Sequence, residues 1–161
     1  MAKAAVVMGS KSDFEVCAPA VKILEKLGVE CEIRVLSAHR TPQEAHEFAE
    51  SADKNGIEVI IAAAGKAAHL GGVIAASTLL PVVGLPIKSS MMDGLDSLLS
   101  MVQMPSGIPV ACVGVNAGEN AGLMAAHILS VKHLNIAHAL AAYRQEMKER
   151  VLEADADISG R

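Results

Sequence analysis

Five short aliphatic blocks, each ended by a polar or glycine-rich break and followed by a segment of helical periodicity, run through the 161-residue chain. Lys3 to Met8 stops at Gly9. Val29, Cys31, Ile33 and Val35 alternate with Glu30, Glu32 and Arg34, the period of a half-covered strand. Ile57 to Ala63, Pro81 to Leu85 and Pro109 to Val115 read as further strands. Between them, Cys17, Ala20, Val21, Leu24 and Leu27 recur at helical spacing and stop at Gly28. Thr41, Pro42 and Glu44 spell a helix start, with Glu44 completing a capping box on Thr41. Ala45, Phe48, Ala49 and Ala52 form the inner stripe of that helix, and Asn55-Gly56 closes it.

A small-residue helix is expected through about Ser77, others over Gly94 to Val102 and Asn120 to Leu129, and an amphipathic one from about Leu134 to Leu152. Strands alternating with helices at this spacing predict α/β architecture with a parallel sheet covered on both faces. The expected fold is a flavodoxin-like three-layer sandwich, with five parallel strands and an extra C-terminal helix. In that order the first and third strands are neighbours. No repeat, low-complexity tract or linker interrupts the pattern, so residues 1–161 are expected to form one domain. The last helix would pack across it or onto a neighbouring subunit.

Composition narrows the function classes. The net charge is −4 and no Lys/Arg cluster occurs, which argues against nucleic acid and membrane-surface partners. No apolar stretch approaches a bilayer span, and the run from Met1 to Met8 is too short for a signal peptide. The three cysteines are far apart with no CxxC pair; buried free thiols in a reducing cytoplasm are expected. Apolar residues make up 52% of the chain, yet there are only two Phe, one Tyr and no Trp. So much small aliphatic surface hints at a homo-oligomer.

In an open parallel sheet, ligands bind outside the carboxyl ends of the strands. That rule selects three loops. The first, Gly9 to Asp13, offers Ser10, Ser12 and Asp13 at a helix N-terminus, an anion site; helix capping is the plainer reading of the same residues. It is neither GxGxxG nor a P-loop. The second carries Ser37, Ala38, His39 and Arg40. Arginine clamps phosphate bidentately, and histidine ordinarily titrates near neutrality, which suits a proton carrier. The third, Gly65, Lys66, Ala67, Ala68, His69 and Leu70, combines small residues with a second histidine. His46, His127, His133 and His138 read as ordinary helix positions, and no His spacing suits a metal.

Met8-Gly9-Ser10-Lys11-Ser12-Asp13, Ser37-Ala38-His39-Arg40-Thr41-Pro42 and Ala67-Ala68-His69-Leu70 resemble the signature blocks of the N5-carboxyaminoimidazole ribonucleotide mutase family, class I. Gly94-Leu95-Asp96-Ser97-Leu98, Val102-Gln103-Met104-Pro105 and Gly107-Ile108-Pro109-Val110 follow in the family's order, so the resemblance extends to about residue 153. It implies an octameric enzyme of purine synthesis that needs no metal, ATP or organic cofactor. It moves a carboxyl group from the exocyclic amine of a phosphoribosyl-imidazole to a ring carbon, through decarboxylation and recapture of carbon dioxide. By resemblance, Ser10, Asp13 and Arg40 bind the phosphoribosyl part, His39 transfers the proton, and Ser37, Ala38 and Gly65 to Leu70 line the base and carboxylate pocket. Two departures stand out: Lys66 where the family usually has glycine, and Gly71 where it usually has proline. The class II members, which carboxylate the aminoimidazole nucleotide directly, usually carry lysine in place of Arg40 and lack the Ala-Ala-His-Leu run. A non-catalytic nucleotide-binding module is the remaining alternative, and it would not need His39 beside Arg40.

Overall fold

The computed structural model describes residues 1–160. Five parallel strands, β1 (Lys3–Met8), β2 (Glu30–Val35), β3 (Val59–Gly65), β4 (Val82–Ile87) and β5 (Ala111–Cys112), form one sheet in the order β2-β1-β3-β4-β5. This is the flavodoxin-like order. β1 and β3 are neighbours as expected, with Ala4 opposite Val59 and Met8 opposite Ala63. The helices are α1 (Phe14–Lys26), α2 (Pro42–Ser51), α3 (Leu70–Ala76), α4 (Leu95–Val102), α5 (Gly118–Ser130) and α6 (Leu134–Ser159).

Burial on both faces explains the continuous aliphatic strands. Successive side chains point to opposite faces. Ala4, Val6 and Met8 of β1 and Val59, Ile61 and Ala63 of β3 meet Cys17, Leu24, Ala125 and Ile136 from α1, α5 and α6. Ala5, Val7, Ile60, Ala62 and Ala64 meet Ala45, Phe48, Ile74 and Met101 from α2, α3 and α4. Small residues bring the layers close. On α5, a β-carbon at Gly118 would overlap the Val16 carbonyl oxygen, and one at Gly122 would crowd Ala20 and Ile23. α5 therefore lies backbone-to-backbone on α1.

Four expectations need correction. The capping box at α2 does not form: the Thr41 hydroxyl turns back, accepting from the Ser37 N–H at 2.8 Å and facing the Ser37 carbonyl at 3.2 Å, so it makes no bond into the helix. β2 is an edge strand and is covered only at its start: Cys31 packs against the core under α1, whereas Ile33 and Val35 further along the same face are exposed. Of the three thiols only Cys17 is buried, while Cys31 and Cys112 are half-buried. Finally, α6 outruns Leu152 to reach Ser159. Its first turns bury Ile136, Leu140 and Tyr143 on the chain's own core, and every described residue from Arg144 onward is exposed. Burial pushes the Cys17 thiol up to about 12 and Cys31 up to about 11, which keeps both protonated and unreactive.

Candidate functional site

The sheet's carboxyl edge opens into a cleft of about 640 Å³. All three selected loops converge there. Gly9 holds the first loop to β3 by donating its N–H to the Ala63 carbonyl at 3.0 Å. Ser10 then begins a single turn of tight helix over Lys11–Asp13 that leads into α1. The Ser12 hydroxyl lies 2.9 Å from Ser10 Oγ and 3.3 Å from Asp13 Oδ1. Burial raises the Asp13 carboxyl above its ordinary value, against the opposing pull of Ser12, the Ser10 backbone and Arg40.

The second loop crosses to the first. Arg40 donates from Nη2 to the Gly9 carbonyl at 3.0 Å and from Nε to Ser37 Oγ at 3.4 Å, while its own N–H reaches Ser37 Oγ at 3.2 Å. The guanidinium is thus parked beside the first loop, on an exposed side chain that a ligand can reach. That combination of an arginine, serine hydroxyls and a helix start suits an oxyanion such as phosphate.

The third loop is the most distorted. Lys66 and Ala68 hold left-handed φ values of 57° and 44°, unusual for residues with a β-carbon. The two reversals set His69 at the start of α3, where it meets His39. The His39 Nε2 and His69 Nδ1 atoms are 2.7 Å apart, with the rings edge-on at 74°. One nitrogen donates and the other accepts, so a proton given up by one ring is within one hydrogen bond of the other. The histidines of the second and third loops thus form one unit.

Ser10, Ser12, Asp13, Ser37, Ala38, His39, Arg40, Gly65, Lys66, Ala68, His69 and Leu70 all line the cleft. Ala67 does not. It is exposed, because the left-handed residues on either side turn it outward. Gly71, where proline was expected, is the second residue of α3 and sits 3.8 Å by its would-be β-carbon from Ala62 and Val110. A missing N–H is harmless in a first helical turn, so either residue fits there.

A fourth loop was missed. Lys88, Ser89 and Ser90, just past β4, line the opposite flank. Ser89 Oγ donates to Asp96 Oδ2 at 2.7 Å, a bond that holds the Asp96 carboxyl below the usual range. Applying the strand-end rule to β4 as well would have found them. Elsewhere, His46 bonds Ser77 and Glu50, His127 lies 3.5 Å from Arg144, and His133 bonds Glu58, all away from the cleft. Among the described residues no three His, Cys, Asp or Glu side chains converge as a metal cluster.

Comparison with known proteins follows the same lines. Residues 3–150 match the AIR carboxylase family. A Pyrococcus abyssi protein named N5-carboxyaminoimidazole ribonucleotide mutase is 55% identical over 148 residues, 92% of this chain and 85% of that one. A Thermotoga maritima protein of the same name is 51% identical over 153 residues, 95% of this chain and 90% of its own. The crystal structure of Treponema denticola PurE superposes with a TM-score of 0.89 at 27% identity, covering 98% of each chain.

Proposed function

The chain belongs to the AIR carboxylase family, and from that premise we propose that its cleft converts N5-carboxyaminoimidazole ribonucleotide to 4-carboxy-5-aminoimidazole ribonucleotide in purine synthesis. The observation that carries the reading is the His39–His69 pair, 2.7 Å apart between an oxyanion corner and a small-residue loop. The substrate carries a phosphate and a labile carboxylate on its exocyclic nitrogen. Cleaving that N–C bond releases carbon dioxide and leaves nitrogen needing a proton. Attack of the ring carbon on the same carbon dioxide then expels one proton. The two demands balance, so a single carrier that gives a proton and takes one back closes the cycle.

His39 is that carrier, and His69 holds its ring in place and its proton in line. Ser10, Ser12, Asp13 and Arg40 bind the phosphoribosyl part. Ser37, Ala38 and the Gly65-to-Leu70 loop lie along the imidazole and the carbon dioxide. Keeping the released gas beside the ring carbon replaces a dissolved reactant by a local one of high effective concentration. This division of roles requires no metal and no nucleoside triphosphate. The half-exposed apolar face of β2 and the bare outer half of α6 support assembly of the chain into a homo-octamer, and its free thiols suit the cytoplasm. Static light scattering at micromolar concentration checks the assembly; a monomer would overturn it.

The deciding experiment supplies two substrates separately: the N-carboxylated nucleotide, and aminoimidazole ribonucleotide with bicarbonate. Consumption of the first, at a rate independent of added bicarbonate, is expected. Turnover of the second alone, rising in proportion to bicarbonate, would make the chain a direct carboxylase. Tight binding with no turnover of either would leave only a nucleotide-binding module.

A further inference from the structure

We propose that Lys88 and Lys66 form a second anion clamp that takes the carboxylate end of the ligand, and that Asp93 occupies Lys88 until the ligand arrives. The inference rests on the functional reading above and adds a specificity determinant to it.

The sheet register places the two lysines together. Gly65 pairs with Ile87, so Lys66 and Lys88 are the residues that step off adjacent strands at the same level. Both line the cleft. Arg40 follows the edge strand β2, but its guanidinium reaches back to the Gly9 carbonyl at the end of β1; adjacent strands are about 4.8 Å apart, so two strand spacings to β4 put the two cationic flanks on the order of 10 Å apart. The histidine pair lies between. A ligand with a phosphate at one end and a carboxylate at the other matches that spacing of charge; a ligand lacking the carboxylate leaves one flank empty.

The loop is built so that the Lys88 side chain moves and its backbone does not. Its N–H donates to Asn116 Oδ1 at 2.8 Å, and just ahead of it Ser97 Oγ donates to the Ile87 carbonyl at 2.8 Å. Its ammonium, by contrast, meets Asp93 Oδ1 at 3.0 Å with both side chains largely in solvent, 57% and 83% exposed. An exposed pair of this kind contributes little, so a ligand carboxylate held inside the cleft displaces Asp93 at small cost. Asp93 is itself held left-handed, at φ 54°, which turns its carboxylate back toward the strand end. Lys66 keeps a left-handed backbone that glycine would adopt more readily, and its side chain enters none of the ion pairs of the described residues. A strained cation without a partner at a cleft wall is a group placed for a ligand.

The test uses the full chain and two nucleotides, 4-carboxy-5-aminoimidazole ribonucleotide and aminoimidazole ribonucleotide, with dissociation constants measured by calorimetry. Lys88→Gln should weaken the carboxylated nucleotide by about tenfold, the loss of one charge-assisted bond, and leave the uncarboxylated one within about twofold. Lys88→Arg should restore the preference, and Asp93→Asn should tighten the carboxylated nucleotide alone. Equal weakening of both nucleotides, or of neither, overturns the clamp. An Asp93→Asn protein with unchanged affinity overturns the occupied-lysine part. Turnover of the unaltered chain is measured first: its absence takes down the functional reading and this inference together, whereas turnover with an indifferent Lys88→Gln removes this inference alone.

Discussion

The two ends of the sheet use the same kinds of residue to opposite purposes. At the amino end the charges on the strands themselves are paired. Lys3 reaches Glu32 at 2.9 Å and Glu30 at 3.8 Å, and Glu58 takes both Lys132 and His133 at 2.8 Å. The left-handed turns that feed β2 and β3 fall on Gly28 and Gly56, both at φ 79°, where no β-carbon objects. At the carboxyl end Gly94 is left-handed too, at φ 96°, but so are Lys66, Ala68, Asp93 and Asn116, each at a cost on the order of 1 kcal/mol. There His39 faces another histidine, and Arg40 faces a backbone carbonyl. A histidine beside a carboxylate is committed to the fold. A histidine beside a histidine is available for chemistry.

The sharpest way to break that contrast is to make one substitution at both ends. His39→Asn should lower turnover by about 100- to 10,000-fold, the usual contribution of a general acid–base group, with the melting temperature nearly unchanged. His133→Asn should leave turnover intact and lower the melting temperature. If the second loses turnover and the first does not, the two ends have been assigned the wrong way round.

Arg40→Ala should act next most strongly, on affinity rather than on rate. A charge-assisted bond is worth about 1.5–3 kcal/mol, so KM should rise by about 10- to 100-fold with kcat little altered. An unchanged KM and an unchanged dissociation constant would remove Arg40 from the ligand. Lys66→Gly then probes backbone strain directly: relieving the left-handed turn should stabilise the chain by about 1 kcal/mol in urea unfolding. No gain would mean that the loop carries no strain there.

The smallest effects concern two carboxylates of opposite sign. Burial works against the charge on Glu58, but the bonds from Lys132 and His133 outweigh it and hold the carboxyl below its usual range. Its stabilisation is therefore present above the ordinary glutamate range and lost as pH falls through the lowered value. Glu58→Gln should cost about 0.5–1 kcal/mol at neutral pH and flatten the acid limb of the stability curve. Asp13 is shifted the other way, by burial, so its contribution is present below its ordinary value and lost as pH rises. Asp13→Asn should stabilise the chain at neutral pH while weakening the nucleotide. Thermal melts across pH 3–8 for both variants read the two signs; equal signs would contradict the contrast.

Much of the fold was legible because a strand buried on both faces must be aliphatic throughout, as Val59 to Ala64 are. Boundaries were less so. β3 begins and ends two residues later than the apolar block suggests, and β5 shrinks to Ala111–Cys112, because pairing with neighbours sets a strand's extent. The three site loops followed from the strand-end rule together with unusual residues. Lys88 to Ser90 did not stand out, being ordinary residues whose position matters only once β4 is placed. Nor could any spacing announce that His39 and His69, 30 residues apart, would share a hydrogen bond.

The contact of α5 on α1 also bears on which wall of the cleft is fixed. At Gly118 and Gly122 the backbone of Val16 and Ala20 and the side chains of Pro19 and Ile23 fill the space a β-carbon would need, so the two helices have little room to slide past each other. α1 begins directly after Asp13, and the oxyanion corner is therefore mounted on this close-packed pair of helices. Across the cleft the backbone at Lys88 is tethered through Asn116 and Ser97, while its ammonium, paired to an exposed Asp93, is the part that can swing. On the proposed roles the cleft is a vice with one fixed jaw, the phosphate side setting where a ligand sits and a swinging lysine closing on its other end.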